Sequence, residues 1–278
     1  MRRCRKPPEK RLSGSAAAPI CLYSLQGEDK MTDKFIAGFC AALFAASAGF
    51  SFAQAFEEPS GTILDIGGKV TILREDKWDE AEKFAPVYEK SFVKTDDAAF
   101  AEIMFDDETA VRFEENTEAE ILSSGGALEV SLKSGRVTSS VVPQDEAVFF
   151  VSSPLAIIGV RGTEFTVTHN GKETTAAVYK GKVEVENRGK LPKRIKVASG
   201  NQSFVYEGFQ PSEPVGLGPE YIKYRKKVLD KFVKRTIKNR KNKEKILLKR
   251  MNLRQNEKKA IIEEIKGRKI NPEKRGRP

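Results

Sequence analysis

Between residues 60 and 210, apolar and polar positions alternate in short runs. The runs are KVTIL (69–73), AEIMF (101–105), AVRF (110–113), LEVSL (128–132), AVFFV (147–151), EFTVT (164–168), AAVYK (176–180), KVEVE (182–186) and SFVYE (203–207). A period of two sends successive side chains to opposite faces, as in a strand with one face buried. β-branched and aromatic residues fill the runs, and Gly, Asp or Asn separates them. His169-Asn170-Gly171 predicts a hairpin, because Asn-Gly accepts the positive φ of a tight primed turn. Lys180-Gly181 and Asp106-Asp107 predict two further turns. Short strands at near-regular spacing predict a mainly β, antiparallel domain of the sandwich, barrel or solenoid kind. Residues 76–90, DKWDEAEKFAPVYEK, break the alternation and read as a loop or short helical turn, with Trp78 and Phe84 as candidates to plug a core edge.

The period changes near residue 219. Tyr221, Tyr224, Val228, Phe232 and Val233 recur at three- and four-residue steps, and so do Ile246, Leu247, Met251, Ile261, Ile262 and Ile265. Pro219 suits a first helical turn and Gly267 the position past a helix end. This predicts one or two amphipathic helices over 219–266, with a break at NRKNK (239–243) and a disordered tail over 267–278. Pro and Gly in EGFQPSEPVGLGP mark 211–218 as a linker.

Residues 35–53 form the one long apolar run, followed by the small-residue pair of Ala53-Gln54-Ala55. That pattern predicts a signal peptide over 31–55, cleaved after Ala55, with export to the periplasm or cell envelope. The run of 19 residues is also just long enough to span a bilayer, so retention as a membrane anchor stays open. Residues 1–30 are basic, hold Pro7, Pro8 and Pro19, and read as a start-site artefact ahead of Met31 or a disordered lead. Cys4, Cys21 and Cys40 all precede the predicted cleavage point, so the mature chain would lack disulfides, thiol nucleophiles and cysteine-bound metals.

The net charge of +10 hides two opposed halves. Residues 219–278 carry 23 Lys+Arg against 7 Asp+Glu, whereas 56–218 carry 18 against 28. An acidic body is joined to a basic tail. Catalytic readings find little: the lone histidine, His169, falls in a predicted turn, where a histidine is usually solvated. The acid runs Asp96-Asp97, Asp106-Asp107-Glu108 and Glu114-Glu115 read as solvated surface. The second is a weak calcium candidate that lacks a full calcium-loop spacing. The expectation is a chain with no catalytic residues, no metal and no cofactor.

With these segments in order, the body resembles the FecR domain of bacterial envelope signalling proteins. The resemblance runs through IGGKVTIL (66–73), residues 92–121, LEVSLKSGRV (128–137), FVSSPLAIIGVRGTEFTV (150–167), AAVYKGKVEV (176–185) and VASGNQSFVY (197–206). It implies a twisted or solenoid-like β-fold on the envelope side. The founding type also carries a cytoplasmic segment controlling a sigma factor, and residues 1–30 look wrong for that role. In such a fold Gly159, Gly162 and Gly181 would permit turns or close backbone approach, while Thr163 and Phe165 would open the next strand. Arg161 would be a structural arginine, forked onto carbonyls or a carboxylate; an anion contact is the alternative.

In the tail, 221–233 is expected to pack an apolar stripe on the body. Lys226, Lys227, Lys234, Arg235, Arg240 and Lys241 are expected to meet a partner: an envelope protein, or an anionic envelope polymer or lipid head groups. Export and the absence of aromatic residues after Phe232 argue against nucleic acid. The functional expectation is an exported, non-enzymatic binding or scaffolding module. The alternatives are a membrane-anchored signal receiver with 35–53 retained, or a cell-wall carbohydrate-binding protein.

Overall fold

A computed structural model describes residues 58–269, apart from 75, 125–126 and 144–148. The predicted leader and signal peptide lie outside the described residues, as does the predicted disordered tail from 270 on; residues 267–269, expected in that tail, continue the last helix. Phe56–Pro278 forms one unit. Among the described residues, its runs fold into seventeen strands laid out in two layers.

The first layer runs β4 (Pro86–Val87), β1 (Gly61–Gly67), β6 (Phe100–Phe105), β7 (Ala110–Phe113), the second half of β9 (Ala127–Ser140), β12 (Glu164–His169), β13 (Glu173–Lys180), β16 (Asn201–Tyr206) and β17 (Val215–Gly216). The second runs β3 (Lys77–Glu80), β2 (Val70–Arg74), β5 (Phe92–Thr95), β8 (Glu118–Ser124), the first half of β9, β10 (Phe149–Ser152), β11 (Ala156–Val160), β14 (Lys182–Asn187) and β15 (Arg194–Ala198). β9 therefore belongs to both layers, and the sheet is twisted rather than closed into a barrel. Its pivot is Gly135, with φ +97°, where a Cβ would sit 2.4 Å from Thr117 Oγ1. Pairing is antiparallel, as expected, except between β9 and β10, which run parallel.

The layers close on one core. Ile103, Val111, Val137, Phe165 and Val167 of the first meet Val93, Ile121, Val130, Val151, Ile158 and Val185 of the second. Phe149 of β10 packs edge-on against Phe165 of β12, with ring centroids 6.2 Å apart. The outward side chains of the second layer face water, as the alternating burial of β14 and β15 shows. The first layer differs: β6, β7 and β13 are buried at almost every position, because a helix covers their outer face.

That helix starts at Pro219. It comprises α1 (Pro219–Tyr224), a π-helical turn (Arg225–Leu229) and α2 (Asp230–Lys241), then a break at Asn242, inside the predicted NRKNK segment, and α3 (Lys243–Lys269). The Pro/Gly stretch before it is strapped to the sheet edge: Phe204 N–H donates to Ser212 Oγ and Gly218 N–H donates to Gln202 Oε1, each at 3.0 Å. Among the described residues no helix is long and apolar enough to cross a membrane.

Residues 76–90 differ from expectation. They supply β3 and β4 rather than a loop or helical turn. Trp78 does not plug a core edge. It is 47% exposed, edge-on to Phe92 at 5.9 Å on the outer face of the second layer. Phe84, at φ +69°, is half-buried beneath the ammonium of Lys249, 4.3 Å from its ring centroid.

Candidate functional site: the helix-docking face

Strand register sets the chemistry of this face. Glu102 lies opposite Arg112, Arg112 opposite Thr138, and Thr138 opposite Thr166, so one row crosses β6, β7, β9 and β12. Period two points their neighbours Ala101, Val111, Val137 and Phe165 into the core, leaving the polar row outward. In an open sheet that row would be wet. Here the helix buries it, and Glu102 is 1% exposed.

The helix contributes Tyr221, Tyr224, Leu229 and Phe232, which pack with Ala110, Ala177 and Tyr179; further along, Ile246 packs with Leu64 and Met104. The π-helical turn adds a residue to one turn, which brings Leu229 under the helix and leaves Val228 half-buried. Leu229 is outside the stripe expected from sequence for this reason.

Buried charges on this face are paired. Arg112 donates to Glu102 Oε1 at 2.6 Å and forks onto Glu114 at 2.5 and 3.3 Å, with its guanidinium 3.9 Å from the ring centroid of Phe100. Arg235 of the helix forks onto the same Glu102, through Nε at 3.1 Å and through Nη2. The Tyr224 hydroxyl donates to Glu114 and shares a hydrogen bond of 2.9 Å with Thr138, which bonds Thr166 at 2.8 Å. Burial lowers the Arg112 pKa, but Glu114 and Glu102 more than offset this and hold it above its ordinary value. Burial and then the Glu114 charge push the Tyr224 phenol far up, so it stays a donor. Burial also raises Tyr179 to about 12.

The turn between β6 and β7 is also claimed by the tail. Arg240 donates to Glu108 O at 3.0 Å and Ser140 O at 2.7 Å, and Lys243 approaches Glu108 at 3.4 Å. Arg250 forks onto Asp106 at 2.9 and 3.3 Å, while Asp107 caps Thr109. Burial pulls Arg240 below its ordinary pKa, against the pull of Glu108. The acid run expected to be solvated, with its calcium option, is an anchor for helix cations, and Glu114 is an interior ion-pair partner.

The six cations assigned to partner binding divide. Arg235 and Arg240 turn inward and bind the body; Lys226, Lys227, Lys234 and Lys241 are exposed. His169 corrects another expectation. It ends β12 at 3% exposure rather than in solvent, with Nδ1 3.0 Å from Thr174 Oγ1 and 3.1 Å from Glu173 O. Burial holds its pKa below the ordinary 6.5.

The GVRGT segment makes a corner on the far side. Gly162, at φ +82°, passes so close to Pro143 that a Cβ would meet its Cα at 2.6 Å. Gly181 faces the Gly162 carbonyl, Thr163 Oγ1 donates to Lys182 O at 3.0 Å, and Gly159 in β11 leaves room for the Phe150 ring. Phe165 is in the core. Arg161 departs from expectation: it is exposed, and among the described residues it forks onto no carbonyl or carboxylate. It lines an open groove of about 580 Å³ with Phe150, Lys182 and Glu184.

Residues 91–184 match the family model described as FecR protein. The FecR match spans β5 to the middle of β14, taking in both layers around β9 and the GVRGT corner, and stops before the docked helix. No curated protein matches the chain. Two crystal structures of a candidate anti-sigma factor from Parabacteroides distasonis are similar. One, at 1.65 Å resolution, has 17% identity and a TM-score of 0.41, over 48% of this chain and 62% of that one. The other, at 2.50 Å, has 16% identity and a TM-score of 0.42, over 49% and 64%. The chain thus spans less than two thirds of the length of either.

Proposed function

We propose that this chain is an exported, non-enzymatic FecR-type module of the bacterial cell envelope that serves regulation by binding a protein partner. The observation that carries this is the FecR match over residues 91–184. The site geometry supports a binding role. The carboxylates Glu102 and Glu114 are each committed to arginine, as ion pairs of a packed interface rather than members of a reaction centre. The outer face of the first layer is filled by the chain's own helix, so the partner meets the second layer. There Trp78 and Phe92 stand beside Leu73, and Phe150 and Ile157 line one groove, among charged neighbours. Lys226, Lys227, Lys234 and Lys241 face water and supply electrostatic attachment to anionic polymer or lipid head groups.

Crosslinking in intact cells, read by mass spectrometry, tests this. The expected result is a chain beginning at Phe56, joined to an envelope protein through Lys94, Lys133 or Lys196 of the second layer. A chain retaining residues 35–53, with cytoplasmic partners on 1–34, would make it a transmembrane regulator instead. Retention on cell-wall polymer that survives both raised salt and removal of the tail cations would favour the carbohydrate-binding reading.

A further inference from the structure

Along one flank of α1 and the π-helical turn, a cleft of about 720 Å³ opens between the helix, the β9–β12 pair and the β5–β6 turn. Arg136 lies in it. The residue is half-buried in β9, and its guanidinium sits 5.2 and 5.7 Å from the ring centroids of Tyr224 and Tyr221. Nε donates to Thr168 Oγ1 at 3.2 Å, and among the described residues neither terminal nitrogen has a partner. A stacked guanidinium fixed at Nε presents its two remaining nitrogens as a preorganised fork, the geometry that takes carboxylate or phosphate.

Two exposed lysines one helical turn apart, Lys223 and Lys227, line the same cleft and have no ion pair among the described residues. Among the described residues none of its carboxylates forms an ion pair with Arg136, Lys223 or Lys227. Glu114 holds Arg112 and Tyr224, Glu115 accepts the Ala98 N–H at 3.2 Å, and Glu220 folds back on Gly218. A half-buried arginine without an ion pair gains from an anion that supplies one.

We infer that this cleft binds a small oxyanion-bearing ligand, a carboxylate or phosphate gripped by the Arg136 fork and closed over by Lys223 and Lys227. The volume admits a ligand of about sugar-acid size. Of the cations given tail electrostatics above, Lys227 also lines this cleft, whereas Lys226, Lys234 and Lys241 lie outside it.

The test titrates the full chain with inorganic phosphate and with glucuronate, following the Arg136 side-chain N–H by NMR and the heat by calorimetry. Saturable binding is expected. It should weaken by at least about tenfold in Arg136→Gln, the loss expected for a charge-assisted pair of hydrogen bonds, and by an intermediate amount in Arg136→Lys. The double change Lys223→Ala with Lys227→Ala, at exposed positions, should weaken it without altering the melting temperature. Lys234→Ala with Lys241→Ala should leave it unchanged. Co-sedimentation with phosphatidylglycerol vesicles separates the sources: binding lost in Arg136→Gln and competed by phosphate identifies a lipid head group, and vesicle binding indifferent to both leaves a free small anion. Absence of saturable binding of either probe, or equal loss in the Lys234/Lys241 variant, would overturn the inference.

Discussion

Glu102 shows how one side chain couples the two halves of the molecule. It is nearly inaccessible, and it accepts from Arg112 of the neighbouring strand and from Arg235 of the helix. Removing one member of a buried pair strands the other charge without its partner, which costs about 3–5 kcal/mol. Glu102→Gln is therefore expected to destabilise the protein by that order in urea unfolding. A loss below about 1 kcal/mol, the level of a surface pair, would show that water reaches this face. His169 makes the second residue-scale case. Its folded pKa lies below the unfolded 6.5, so the unfolded chain binds more protons once pH falls under that value. Its contribution is complete above pH 6.5 and declines as pH drops toward the folded value. Melting temperature should fall from pH 7 to 5.5, and His169→Gln should flatten that slope; an unchanged slope would remove His169 as its source. Neither residue was legible beforehand. Glu102 occupies the polar phase of an alternating strand, and His169 adjoins Asn-Gly, so local pattern assigns both to water. Burial came from a helix more than a hundred residues away for the first and from the end-of-strand packing for the second.

At the scale of elements, the helix is bound by its apolar underside and its cations in turn. Phe232 is 1% exposed between helix and sheet. Phe232→Ala should cost about 3–5 kcal/mol by lost burial and an unfilled cavity. Protection from hydrogen exchange should drop over 219–241, with β10–β11 little changed. An even loss over the whole domain would mean that helix and sheet unfold as one unit. The strand runs and the helix with its break at 242 were readable, because hydrophobic period and turn residues are local properties. The strands at 77–80 and 86–87 were not. Lys77–Glu80 is exposed at every position, so it carries no alternation, and its strand form is imposed by pairing with β2.

Over the whole molecule, ion pairs of Arg235, Lys243, Arg250 and Arg254 tie the basic tail to the acidic body. The contacts form a gradient: Arg235 meets a buried carboxylate, whereas Arg250 and Arg254 meet the exposed Asp106 and Glu58. Salt screens exposed pairs and hardly touches buried ones. Raising sodium chloride from about 0.05 to about 0.5 M should therefore speed hydrogen exchange over 243–254 and leave 221–236 protected. Equal loosening of both segments would show that long-range attraction, rather than packing, holds the helix down.

The sequence by itself determined the β class, the turn positions, the FecR likeness and the opposition of charge between body and tail. Each is carried by neighbouring residues or by simple sums. Only the tertiary structure decided which polar residues are interior. It turned Arg235 and Arg240 from partner contacts into anchors, left Arg161 exposed at its corner, and opened a cleft around Arg136. The physical reason is that an outward strand position has no fixed environment until the other face of the sheet is either covered or left to water. Here a helix remote in sequence covers one layer and leaves the other bare.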